Sequence, residues 1–130
     1  MKTILIVDDN EINRYLAAHV LEKRGFRVLQ ASDGVEALAQ VAQHRPDVVV
    51  LDIQMPGLSG LEVLTQIRGS AVPEVARTPV IAATALAMAE DRERCLALGA
   101  NRFLPRPFSM KDLVDSVRAL APDVVEPLPL

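Results

Sequence analysis

Apolar residues in this chain fall into two alternating kinds of segment, short β-branched runs and longer stretches with helical spacing. Ile4-Leu5-Ile6-Val7 is the first run, and Asp8-Asp9-Asn10 leads from it into a segment with Ile12, Leu16, Val20 and Leu21 at helical intervals. That pattern predicts a strand, an acidic turn and a helix stopped at Gly25. Phe26, Val28 and Leu29 make a weaker strand, and Asp33-Gly34-Val35-Glu36 has capping-box spacing at the start of a helix carrying Leu38 and Val41. After the break at Pro46, Val48-Val49-Val50-Leu51 is apolar at every position, as a strand buried on both faces must be, and it stops at Asp52.

The alternation continues beyond the turn Met55-Pro56-Gly57-Leu58. Ser59-Gly60-Leu61-Glu62 is a second capping box, opening a helix with Leu61, Leu64 and Ile67 on one face, and residues 69–78 read as a loop. Pro79-Val80-Ile81-Ala82-Ala83 predicts a fourth buried strand ending at Thr84, followed by a helix from about Met88 to Leu98 that Gly99 stops. A short fifth strand at about Arg102 to Leu104 meets Pro105-Arg106-Pro107, and Ser109 with Asp112 caps a last helix carrying Leu113, Val114, Val117 and Leu120. Five strand-helix units in this order predict an α/β fold, a parallel sheet doubly wound by right-handed crossovers with five helices on its two faces. Residues 1–121 are expected to form one domain, and residues 122–130, with three prolines and no periodicity, a flexible end or a short docking strap.

Composition narrows the function classes. A chain of 130 residues, half of them hydrophobic, can bury one sizeable core. The net charge of −3 comes from 14 basic and 17 acidic residues scattered along the chain, with no basic run to follow a phosphate backbone, so direct nucleic-acid binding is not expected. Cys95 is the lone cysteine; it allows no internal disulfide and no thiolate zinc site, which suits a reducing compartment. The apolar stretch before Asp8-Asp9 is too short for a signal peptide or a membrane span, and a cytoplasmic protein is expected.

In open parallel sheets, ligands collect outside the carboxyl ends of the strands, where Asp8, Asp9, Asp52, Thr84 and Arg106 all fall. Three carboxylates crowded together raise one another's pKa, so a positive group belongs among them, and a hard divalent cation such as magnesium fits oxygen ligands of this kind. Magnesium is usually held by one or two carboxylates together with phosphate oxygens, which implies a phosphate partner. Thr84 offers a hydroxyl and Arg106 a charged fork for phosphoryl oxygens, leaving Asp52, at the end of the central apolar run, as the candidate nucleophile. Plainer roles stand beside these. Asp8 and Asp9 would favour the positive end of a helix capped by Asn10, Thr84 would satisfy backbone at a strand end, and Phe103 suits a core position as well as a functional one. An acid phosphatase built on Asp52 would want a second acid two residues on, where Gln54 stands.

Taken together, the motifs resemble the receiver domain of two-component response regulators, over residues 1–121. Ile4-Leu-Ile-Val-Asp-Asp-Asn is similar to that family's first strand and acidic pair, and Val50-Leu-Asp-Ile-Gln-Met-Pro-Gly to its phosphorylation strand and turn. Thr84-Ala85 is similar to the switch hydroxyl segment, and Gly99-Ala-Asn-Arg-Phe-Leu-Pro-Arg-Pro-Phe to the last strand and its proline turn. The resemblance implies a stand-alone, flavodoxin-like receiver with strand order 2-1-3-4-5 that takes a phosphoryl group on Asp52 from a histidine kinase or phosphotransfer protein. It further implies magnesium held by Asp9, Asp52 and the Gln54 backbone carbonyl, with Asp8 acting through water. Thr84 and Phe103 would be switch residues reporting to the face of the fourth helix, fifth strand and fifth helix, where a downstream protein binds; neither nucleic acid nor a membrane is an expected partner, and no separate substrate is turned over. Arg106 stands where the family has lysine, a planar fork in place of a compact ammonium. It motivates a second expectation, a receiver-like module that binds partners without phosphorylation.

Overall fold

In the computed structural model, the structure describes residues 1–84 and 89–121. Five strands, β1 (Thr3–Val7), β2 (Arg27–Ala31), β3 (Val48–Asp52), β4 (Val80–Thr84) and β5 (Arg102–Pro105), pair in parallel in the order β2-β1-β3-β4-β5. Helices α1 (Glu11–Lys23), α2 (Gly34–His44), α3 (Gly60–Arg68), α4 (Pro73–Ala76), α5 (Ala89–Ala97) and α6 (Met110–Leu120) connect and follow them. The five expected helices are present within the described residues, and the expected loop 69–78 additionally winds one turn, α4, started by Pro73 at its first position. Met88 and the tail at 122–130 lie outside the described residues.

The strands send alternate side chains into two cores, and in β1, β3 and β4 the central positions are apolar on both faces. Leu5, Val7, Val49, Leu51, Val80 and Ala82 pack against Ala37 and Val41 of α2, Val63, Leu64 and Ile67 of α3, and Cys95 of α5. Ile4, Ile6, Val50, Ile81, Ala83 and Leu104 pack on the other face, against Ala17 and Leu21 of α1 and Leu113, Val114 and Val117 of α6. The predicted apolar stripe of α1 is corrected in part. Leu21 is buried and Val20 half-buried, but Ile12 and Leu16 are 70% and 53% exposed, because Ala17 and Ala18 face inward and rotate that stripe outward.

The helix starts are built as the spacing implied. Ser59 and Ser109 each accept a hydrogen bond from the amide three residues on while Glu62 and Asp112 accept from the cap amide, completing two capping boxes. Asp33 accepts from the Glu36 amide, but Glu36 takes the Ser32 amide instead of closing the box. Gly60 has a tertiary reason as well. A Cβ there would sit 2.5 Å from the Ile53 Cα, so only glycine lets α3 begin directly against the backbone that follows Asp52.

A candidate phosphoryl and metal pocket at the carboxyl edge of the sheet

Strand register brings the candidate residues to one rim. Val7 pairs with Leu51, so Asp8, one step past β1, emerges beside Asp52; Asp52 pairs with Ala83 and Thr84 with Pro105, which places Thr84 and Arg106 at the same end. Asp8, Asp9 and Asp52 each offer a carboxylate oxygen within 4.8 Å of the others. Asp8 and Asp52 are buried and Asp9 is exposed, so the cluster has a dry floor and an open lip.

Local hydrogen bonds hold the acids in place. The Gln54 amide donates to Asp52 Oδ1 at 3.0 Å, and the Asn10 amide donates to Asp8 Oδ1 at 2.8 Å. Asn10 itself caps α1, accepting from the Asn13 amide. Arg14 of α1 donates to the Asp8 carbonyl at 2.9 Å and to the Gln30 side chain at 3.1 Å, tying β1, β2 and α1 together behind the pocket. Thr84 is fully buried at the end of β4, with hydrogen-bonding or electrostatic company of its own. Phe103 is half-buried against the core shared by α2, α3 and α5.

The positive group expected among the acids is Arg106. Its Nη2 lies 2.7 Å from Asp8 Oδ2, an ion pair linking residues 98 apart in sequence. Its guanidinium carbon stands 5.3 Å from the centroid of Phe108. Neither partner follows from local spacing; Phe108 belonged to the quoted proline-turn motif without a role of its own.

Electrostatics leave this pocket short of positive charge. Burial pushes the Asp52 carboxyl up from 3.8 to about 6, and the Asp8 and Asp9 charges push the same way, while the Gln54 amide and Arg106 offset only part of the rise. One guanidinium against three carboxylates, all offering hard oxygen ligands in close quarters, is a donor set that fits a divalent cation of the magnesium type.

A family model described as the response regulator receiver domain matches residues 4–118. The chain belongs to the response regulator receiver family. It is 35% identical over 122 residues to the polar-differentiation response regulator DivK of Brucella anthropi, covering 94% of this chain and 98% of that one. The DivK of Brucella ovis is similar at 34% identity over the same share of both chains. Among solved structures, the chemotaxis protein CheY4 of Vibrio cholerae superposes with a TM-score of 0.86 at 31% identity, covering 92% of this chain and 98% of that one. The receiver domain of the sensor histidine kinase PA1611 from Pseudomonas aeruginosa superposes with a TM-score of 0.82 at 33% identity, over 92% of this chain and 96% of that one, and holds a coordinated magnesium ion in its active-site cleft. A receiver of this family is a signalling protein, and its acidic pocket is the cluster of Asp8, Asp9 and Asp52. Among the described residues, no helix is long and apolar enough to cross a membrane.

Proposed function

We propose that the chain is a phospho-acceptor receiver in which Asp52 takes a phosphoryl group from the phosphohistidine of a histidine kinase or phosphotransfer protein. The observation that carries this reading is the convergence of three aspartates and Arg106 at one strand edge, with Asp52 buried at the end of the central strand. In the reaction, a carboxylate oxygen of Asp52 attacks phosphorus, the P–N bond to the donor imidazole breaks, and the electron pair leaves on that nitrogen. Asp9, Asp52 and the Gln54 carbonyl would hold magnesium directly and Asp8 through water, and the ion would supply charge neutralisation for the phosphoryl oxygens. Thr84 would donate to one of those oxygens, and Arg106 would balance charge from the Asp8 side.

Exposed Ile12, Tyr15 and Leu16 on α1, beside the acidic rim, offer the donor protein an apolar landing surface. Phosphorylation would then change the face formed by α5, β5 and α6 through Thr84 and Phe103, and a downstream protein would read it. The domain is taken as residues 1–121 with 122–130 as an appended tail, in the cytoplasm, without nucleic-acid or membrane partners. The test is incubation with acetyl phosphate and magnesium, read as a mass gain of one phosphoryl group. The native chain is expected to gain it and Asp52→Asn to stay unmodified; a gain in the variant overturns the assignment.

A second reading is favoured by the engagement of Arg106 with Asp8, which occupies the group that would otherwise meet the phosphoryl. On that reading the chain binds partners constitutively and phosphorylation changes nothing. Beryllofluoride with magnesium separates the two: shifts of the β5 and α6 amides support the phospho-switch, and an unchanged amide spectrum supports the constitutive module.

A further inference from the structure

The acidic pocket has a neighbour that the phospho-acceptor reading leaves unused. Among the described residues, Arg106 makes one side-chain hydrogen bond, to Asp8 Oδ2, and its buried Nε has no hydrogen-bond partner. A guanidinium held at one corner can pivot about that contact, and the unpaired Nε–H favours leaving the pose. What opposes this is Phe108, whose ring centroid is 5.3 Å from the guanidinium carbon, within range of the attraction between a cation and an aromatic face. Phe108 is half-buried and, with Leu16, Pro107 and Met110, forms the apolar side of a cavity of about 420 Å³ whose polar side contains Asp8 and Arg106.

We propose that Phe108 is a positioning residue that holds the Arg106 guanidinium on Asp8 and thereby sets how tightly the acidic pocket takes a divalent cation. This rests on the reading of that pocket as a magnesium site. Arg106 and a divalent ion draw on the same negative potential, so to the extent that the ion loosens Arg106 from Asp8, whatever stabilises that pair weakens the ion by up to the same factor. A flat guanidinium can lie against a ring as a compact ammonium cannot, which ties the device to the arginine this chain carries at position 106. A cation–ring contact at a partly open site changes an equilibrium about two- to five-fold.

The test is magnesium binding by titration calorimetry on the full chain at fixed ionic strength. Phe108→Leu keeps apolar bulk and removes the ring face, and it is expected to bind magnesium about two- to five-fold more tightly than the native chain. Phe108→Tyr is expected to keep the native affinity, and Phe108→Leu to change nothing further in an Arg106→Met background. Equal affinity in the native and Leu chains, or the same gain in the Arg106→Met background, overturns the positioning role while leaving the magnesium site standing. A native chain that binds no magnesium overturns both. A measurement on the native protein needs no variant: without metal, the Arg106 side chain is expected to show cross-relaxation to the Phe108 ring, and its absence overturns the proposal even if Phe108→Leu does not fold.

Discussion

Asp52→Asn is expected to stabilise the metal-free protein at neutral and alkaline pH, because the charge at Asp52 opposes folding. Its carboxyl titrates at about 6 in the folded protein against 3.8 as the ordinary value, and with 8% exposure it is shielded from bulk water. The unfolded chain therefore releases its proton first. As pH rises from about 4 to 6 the folded state binds more protons than the unfolded one, so stability falls through that window and the penalty is complete above about pH 7. A shift of about two units corresponds to about 3 kcal/mol at most, and the open lip at Asp9 lets solvent screen part of it, leaving about 1–2 kcal/mol. Asparagine keeps an Oδ1 for the Gln54 amide, so the substitution removes charge and little else. For a chain of this size the gain corresponds to a rise of about 4–7 °C in Tm at pH 8 with chelator present. It should shrink to about a third at pH 4.5, where the charge penalty is mostly absent. On the proposed magnesium reading, the ion would bind only the folded native pocket and stabilise it by mass action, so millimolar magnesium should narrow or reverse the difference. Thermal unfolding followed by circular dichroism from pH 4.5 to 8, with and without magnesium, reads all of this. A variant no more stable than the native chain at pH 8, or a difference that does not vary with pH, would refute the reasoning.

The structure carries other predictions. Arg68 donates to the carbonyls of Gly99, Ala76 and Thr78 and to the Asn101 side chain, and burial pushes its pKa down; Arg68→Met should strand these acceptors and cost about 2–4 kcal/mol in urea unfolding, and a loss under about 0.5 kcal/mol would show the network to be dispensable. Gly60→Ala should cost at least about 2 kcal/mol by forcing α3 off the backbone after Asp52, and should slow phosphorylation by acetyl phosphate; native rates in a folded variant would show that α3 does not position Asp52. Arg106→Lys should keep or strengthen the beryllofluoride response; a chain that accepts phosphoryl on Asp52 but loses partner binding would mean that the guanidinium itself is recognised. Leu86, outside the described residues, has no polar atom to orient an attacking water, so the native phosphoryl group should be long-lived and Leu86→Glu should shorten its half-life; an unchanged half-life in the variant would refute this.

How far the pattern of residues can be read depends on the range of the interaction that enforces it. Val48-Val49-Val50-Leu51 could be read as a doubly buried strand because burial on both faces demands apolar residues at every position, and Asp52 after it could be read as a strand-end acid. Ser59 with Glu62 and Ser109 with Asp112 were legible because a capping box spans one helical turn. Asp8, Asp9 and Asp52 could be grouped because parallel strands align their carboxyl ends. The failures have a common cause. Ile12 and Leu16 fit helical spacing but sit outward, since which stripe of α1 faces the sheet is decided by how the helix rolls onto Ile4, Ile6 and α6. The partner of Arg106 is 98 residues away, Phe108 comes over its guanidinium through the course of the β5–α6 turn, and Arg68 collects carbonyls from the ends of α4 and α5, so no local spacing announces them. By itself the sequence determined the alternation of elements, the strand ends where acids stand and the caps that begin the helices, all of which act within a few residues. Only the tertiary structure decided which charge neutralises which, because a buried ion pair depends on the register of distant strands and on the burial they create.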